Sequence, residues 1–430
     1  MGLLINGTGI PPFSENGTMA LKIRFRALLT LCGDPIENGE LIIDEGKIVE
    51  ISTLFVNGKN GDALDLSDCL LMPGFVNAHC HLSLTALEKK FSPSPPFEDW
   101  IRALISLNAV LDDESRIQGI CAGAKEMKRS GVTALGDYVA EPGLLKVIGG
   151  LGFRSVLFLE TIGFHSEKAQ VLCKKVEDVL KNESLSPLNL LGLAPHAPYS
   201  VSPDLFRYLG QLAQQYHCPL SCHVAEIQDE VRFLDGGDDS LEELLKERSA
   251  WDSQWKPPGK TPVQYLDSLD LLDRLIAIHC NFVSADLDVM AEKKVSAVFC
   301  PNSTKWFGRT EFMPVRALLD MGINVALGTD SLASNNSLNF LGELRMADKL
   351  LPDVSRREIL AMATRSGGEA LGLDCGKLAC GQQADLIGFR VSPSYSGSWF
   401  DVPFESHRHE VDFYMVDGKP ITRFHGDPPH

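Results

Sequence analysis

The chain has 430 residues, more than one ordinary domain core needs and enough for a large domain plus a smaller one. Its hydrophobic and charged fractions, 44% and 23%, are those of a soluble globular protein. Forty Lys and Arg against 57 Asp and Glu give a formal charge of −17, which argues against nucleic acid or an anionic membrane as partner but leaves room for an anionic small molecule in a locally basic pocket.

Residues 1–20, rich in Gly, Asn and Pro, lack the basic start and long apolar core of a signal peptide and read as a flexible extension, with Met19 as an alternative start. No apolar run approaches the roughly 20 residues that span a bilayer. Eleven cysteines occur without any Cys-x-x-Cys pair, and Cys222, Cys280 and Cys300 sit inside apolar runs, as buried thiols do in a reducing cytoplasm. The expectation is a soluble cytoplasmic enzyme, assembled as a homo-oligomer.

Three short strands are predicted next, Ile23–Leu31, Gly39–Ile43 and Lys47–Ile51, the last two joined by a hairpin at Asp44-Glu45-Gly46. Asp385–Arg390 and Val411–Val416, with a turn at Asp417-Gly418, repeat this texture at the far end. Each set is too small to stand alone, so residues 21–71 and 375–430 are expected to build one composite β domain. Between them, over 72–374, eight apolar runs alternate with helix-like stretches: Leu70–Asn77, Val132–Gly136, Arg154–Leu159, Leu188–Ala194, Pro219–Cys222, Leu275–Ile278, Val295–Cys300 and Asn324–Leu327. Ser115–Ser130, Pro203–Tyr216 and Arg356–Leu371 read as helices, and Asp235–Pro262 as one long insertion. The fold class is α/β, a (β/α)₈ TIM barrel carrying a small β domain made from both chain ends.

Barrel enzymes place reactive groups at the C-terminal ends of their strands. Here those ends carry His79 and His81, Asp137, Glu160, His196, His223, His279, Asn302 and Asp330. In His79-Cys80-His81 the strand period of two turns both imidazoles to one side and Cys80 to the other. With His223 and Asp330 they make three nitrogens and a carboxylate, a set that suits one divalent cation, Zn²⁺ first and Fe²⁺ or Mn²⁺ also. Asp330 counts among the catalytic groups as well. Glu226, three residues beyond His223, is placed to shuttle protons, and His279 to hold the attacking water.

At this point the motifs become recognisable. Pro73-Gly74-Phe75-Val76-Asn77-Ala78-His79-Cys80-His81, Pro195-His196-Ala197-Pro198-Tyr199, His223-Val224-Ala225-Glu226, Ile278-His279-Cys280 and Gly328-Thr329-Asp330-Ser331 resemble the amidohydrolase superfamily, in its branch of chlorohydrolases and adenosine-type deaminases. The resemblance spans about Ile23 to Val416. It implies the same ligands, the same shuttle and hydrolytic deamination of an adenine nucleoside. The fourth strand ends without the Lys that bridges two metals in some members, which implies a single metal. Pro96-Phe97-Glu98-Asp99-Trp100-Ile101, Cys300 through Arg309 and Gly328 through Leu338 look most like the aminodeoxyfutalosine deaminases of menaquinone biosynthesis, although Asn302 stands where many relatives have Arg. Adenosylhomocysteine and methylthioadenosine deaminases are the alternative, and triazine chlorohydrolases or aminohydrolases a further one. A catalytically dead scaffold is disfavoured because every ligand is kept. For substrate, Phe97, Trp100 and Trp306 are expected to wall a flat slot, His196 to contact ribose or ring, and Arg309 (or Lys305) to meet a carboxylate. The alternative packs the aromatics under the loop and leaves the basic pair in solvent.

Overall fold

Alternating apolar residues near the N-terminus form strands. In the computed structural model, which describes residues 20–53, 63–237 and 240–421, β1 (Leu21–Leu28), β2 (Ile36–Asp44) and β3 (Lys47–Ser52) make an antiparallel meander. Glu45 and Gly46 take φ of 45° and 78°, the left-handed pair that a tight β2–β3 hairpin requires. β4 (Ala63–Pro73) runs parallel to β1. The expected N-terminal extension lies outside the described residues.

The first expected barrel strand, Leu70–Asn77, proves to belong to two sheets. β4 stops at Pro73 and β5 (Phe75–Cys80) begins the barrel, with Gly74 between them. The break is steric: a Cβ on Gly74 would stand 2.1 Å from Thr133 Oγ1, and Gly74 N donates to Asp385 O at 3.0 Å rather than along a ladder. A continuous apolar run therefore hides a change of sheet, since both halves are fully buried.

Seven further strands follow in parallel: β6 (Val132–Val139), β7 (Arg154–Thr161), β8 (Asn189–Pro195), β9 (Ser221–Val224), β10 (Ile276–His279), β11 (Ser296–Phe299) and β12 (Asn324–Leu327). They form two four-stranded sheets, β5 to β8 and β9 to β12. Parallel bridges Leu193↔Leu220 and Cys80↔Asp330 join the sheets at both seams, so the eight strands close into a barrel. Val76, Tyr138, Phe158, Ile276, Ile278 and Val298 fill its interior. The helices pack outside through apolar stripes. Pro203–Tyr216 shows how: Ser202 caps its start, Leu205, Phe206, Leu209 and Leu212 form the buried face, and His217 ends it in the left-handed conformation. Each such buried side chain is worth about 1.5–3 kcal/mol.

One expected helix differs. Arg356–Leu371 is split into Arg356–Met362 and Arg365–Leu371, because Thr364 takes φ −138° and turns its hydroxyl back onto Leu360 O at 2.6 Å. The Asp235–Pro262 insertion is not a plain loop: it carries the helix Ser240–Glu247 and two tryptophans stacked on the barrel, Trp251 on Phe164 and Trp255 on Phe233.

At the far end β13 (Leu386–Arg390), β14 (Phe413–Val416) and β15 (Lys419–Pro420) add to the N-terminal strands, giving one seven-stranded sheet in the order β15-β14-β13-β4-β1-β2-β3. Both chain ends thus build a single layer over its own core, which includes Ile23, Phe25, Leu41, Leu71, Leu386 and Met415. A buried ion pair ties it to the barrel: Arg154 donates to Asp385 at 2.7 and 3.3 Å. All eleven cysteines are unpaired, and among the described residues no helix is long and apolar enough to cross a membrane.

Candidate active site

The closed barrel gathers the strand ends at one mouth. His79 and His81 project from the end of β5 to one side, while Cys80 turns outward into the shell core and approaches Asp137 Oδ1 at 3.3 Å. Asp330 follows β12 and joins the seam, its N–H donating to His79 O at 3.1 Å. Asn77 and Thr329 lock this seam with reciprocal bonds of 2.8 and 3.0 Å. Gly328 allows the approach, because a Cβ there would lie 2.9 Å from His79 Cβ and O.

The donor atoms converge. His79, His81 and Asp330 offer atoms within 4.8 Å of one another, as do His79, His223 and His279, and also His81, Glu160 and His223. Asp330 Oδ1 lies 3.7 Å from His79 Nε2 and 3.9 Å from His81 Nε2. Its Oδ2 accepts from Ser303 and Ser334 hydroxyls at 2.7 and 2.8 Å, which aims Oδ1 at the histidines. His223 Nδ1 donates to His196 O at 2.9 Å, so Nε2 keeps its lone pair for a ligand. Both ring nitrogens of His79 are buried without a hydrogen-bond partner. An orphaned buried nitrogen costs about 1–3 kcal/mol, and a divalent cation bound at Nε2 fits it. Burial also holds His79 below and His81 well below the ordinary imidazole range, so both are neutral and able to ligate. For Asp330 burial pushes the carboxyl up, but the nearby His79 and the other surrounding histidines outweigh it and hold it well below the usual carboxylate range. Three nitrogens and a carboxylate in this arrangement suit zinc.

Beside them, Glu226 and His279 are both buried, with His279 Nε2 3.7 Å from Glu226 Oε1. Burial pushes His279 down to about 3, so its imidazole is neutral. Strain concentrates here: Ala225, His279, Cys280 and Asp330 all take positive φ, 51°, 69°, 46° and 59°. Each costs of order 1–3 kcal/mol in a residue with a Cβ, and such strain persists where the surroundings fix the backbone.

The sequence-level substrate contacts separate into groups. His196 lies beside the ligands, its ring 4.8 Å from that of His223 and its Nδ1 bonded to Ser200 Oγ at 2.6 Å. Phe97 and Trp100 form an aromatic cluster with Phe307 and Tyr199, and Trp100 Nε1 is anchored on Ala333 O at 2.8 Å. Trp306 is buried and backs Phe307 edge-on. Lys305 is exposed. Arg309 instead points inward, and its Nη2 donates to Glu226 Oε1 at 2.7 Å. Sequence reasoning gave no role to Glu160, although it stood at a strand end; it faces His81 and His223, and burial pushes its carboxyl up to about 7. It also missed Glu230 and Asn281, which hold the Ala225–Glu226 backbone: Asn281 lies 55 residues on, and nothing in the sequence marks Glu230 as turning back onto the chain just before it.

Comparison with known proteins adds three findings. The chain matches the amidohydrolase family over residues 70–421. It is 33% identical over 370 residues to a 5-methylthioadenosine/S-adenosylhomocysteine deaminase of Pyrococcus furiosus, covering 82% of each chain. Among solved structures, it superposes on an adenosine deaminase from Xanthomonas campestris with bound zinc (TM-score 0.79, 26% identity, 93% and 92% of the two chains) and on the Helicobacter pylori aminofutalosine deaminase in complex with methylthio-coformycin (TM-score 0.80, 24% identity, 93% and 100%).

Proposed function

The chain belongs to the amidohydrolase family, and we propose that it is a metal-dependent deaminase of adenine nucleosides, replacing the 6-amino group by oxygen with release of ammonia. The observation that carries this reading is the convergence of His79, His81, His223 and Asp330 beside a buried Glu226. Those four residues would hold the cation, and Glu160 and His279 offer donor atoms within 4.8 Å of some of the same ligand atoms. The cation, when bound, supplies the Lewis acidity that lets water act as a nucleophile near neutral pH.

The protein's own groups do the rest. Glu226 takes a proton from the attacking water and delivers it to the ring nitrogen beside the reacting carbon. It then takes the second proton, from the hydroxyl now on that carbon, and hands it to the amino group, which leaves as ammonia as the C–N bond breaks and the C=O forms. His279, uncharged and buried, orients that water. Asp330 stays ionised and keeps His79 and His81 in place. His196 contacts the ribose or ring, and Phe97 and Trp100 line the wall along the nucleoside. Reaction at a ring carbon disrupts aromaticity, so prior alignment of nucleophile and acid carries much of the rate.

Within the class, a 5′-substituted adenosine of the methylthioadenosine or adenosylhomocysteine kind stands ahead of aminodeoxyfutalosine. The relative that acts on the former is one-third identical, whereas the likeness to the aminofutalosine enzyme is one of fold. The test is ammonia release by the zinc-loaded protein from methylthioadenosine, adenosylhomocysteine, aminodeoxyfutalosine and adenosine. The first two should have the highest kcat/KM. No ammonia from any of them, with chloride released from a chlorotriazine, would overturn the reading.

A further inference from the structure

Glu226 is held from three sides. Glu230 accepts the backbone N–H groups of Ala225 and Glu226, at 2.9 and 3.0 Å on its two oxygens. Asn281 donates to Glu226 O at 2.9 Å and accepts from Met313 N at 3.2 Å. These bonds fix the main chain and leave the carboxylate free to rotate. The carboxylate itself is held by Arg309, through Nη2 to Oε1 at 2.7 Å, with both side chains only about a tenth exposed. Oε2 receives no donor among the described residues.

Arg309 is a fixed partner. Its guanidinium lies over the Phe307 ring, 4.4 Å from the centroid, and the Arg309 backbone N–H donates to Thr304 O at 3.1 Å. It therefore moves with the helix Pro301–Trp306, which also carries Ser303, a hydroxyl that orients Asp330. One short element thus supports both the cation ligand and the acid–base group.

We propose that Arg309 is a positioning residue for this reaction: by holding Oε1 of Glu226 it presents Oε2 to the attacking water and to the substrate ring nitrogen. The assignment rests on the deaminase reading. It differs from the role expected from sequence, a clamp on a substrate carboxylate: Nη2 is committed to the shuttle, while Nη1 is buried without a partner. A carboxylate bound on one oxygen by a planar, charge-assisted donor has one orientation to offer, while an unbound one samples several. Holding the reacting group in line is worth on the order of a hundredfold in rate.

The experiment compares wild type, Arg309→Ala and Arg309→Lys, each zinc-loaded, on methylthioadenosine, which has no carboxylate, and on adenosylhomocysteine, which has one. For Arg309→Ala we expect kcat to fall on the order of a hundredfold on both, KM to change by less than about threefold, and zinc content to stay at wild type. Added guanidinium should restore part of the lost kcat. Should Arg309→Ala fail to fold, Arg309→Lys carries the test, with kcat lowered about tenfold at similar KM. An effect confined to KM for adenosylhomocysteine, or undiminished kcat on methylthioadenosine, overturns the proposal and makes Arg309 a substrate clamp. A wild-type protein that releases no ammonia from either nucleoside overturns the deaminase reading itself, which these variants alone cannot do.

Discussion

Gly328→Ala adds a single methyl group at the seam where the cation ligands meet. The new Cβ would stand 2.9 Å from both Cβ and O of His79 and 3.1 Å from His79 N. Ordinary contacts begin near 3.4 Å, so about half an ångström of overlap must be relieved. The atoms in the way are backbone and the root of a ligand, and no flexible side-chain tip can yield. β5 must shift relative to β12, against the Asn77–Thr329 lock and the Asp330 N–H bond to His79 O. Overpacking of this kind costs about 1–3 kcal/mol of stability. A shift of half an ångström is also the tolerance of a well-formed site, so zinc affinity should fall at least about tenfold, or 1.4 kcal/mol. Urea denaturation of the metal-free protein reads the first effect, and competition with a zinc chelator reads the second. If stability and zinc affinity both match wild type, the close approach at this seam is not what holds the ligands together.

Other perturbations address separate parts of the site. Glu226→Gln should retain zinc, since the residue is no ligand, and lose at least about a hundredfold in kcat; ammonia release and metal content of the same sample check it. Glu230→Gln replaces one of two backbone-accepting oxygens with a donor facing an N–H, and should cost about 1–3 kcal/mol in urea denaturation while lowering kcat. Glu343 is buried beside Asn302 and Asn335, and burial raises its carboxyl from 4.5 to about 7. The folded protein then binds a proton that the unfolded chain releases, so this group's contribution is full below about 4.5 and lost as pH rises through about 7. Urea denaturation between pH 4.5 and 7.5 should show that decline in wild type and less of it in Glu343→Gln; equal slopes would remove Glu343 as its source.

Much of this was legible in the sequence for a physical reason. A barrel puts the residue after each apolar run at one rim, so the strand ends could be read as a site before any contact was known. The same logic missed what depends on contacts between distant segments. Arg309 looked like a loop cation free to meet a substrate, and only the folded chain brings it to Glu226, 83 residues earlier. Glu230 was missed for a different reason: a Glu four residues past Glu226 gives no sign in sequence that its oxygens turn back onto the Ala225–Glu226 backbone. The Leu70–Asn77 run concealed a change of sheet, because both strands are buried and hydropathy does not distinguish one core from another. Trp306, expected at a slot wall, is the buried support of Phe307, a difference that burial decides and sequence does not.

The central claim is that one cation held by His79, His81, His223 and Asp330 drives the deamination. The most direct measurement titrates zinc into metal-stripped protein while following ammonia release from methylthioadenosine. The account predicts that activity is absent at the start, rises with zinc and levels off at about one equivalent per chain, and that an Asp330→Asn, His223→Ala variant gains neither zinc nor activity. Full turnover by the stripped protein, or undiminished zinc uptake and activity in that variant, would contradict it.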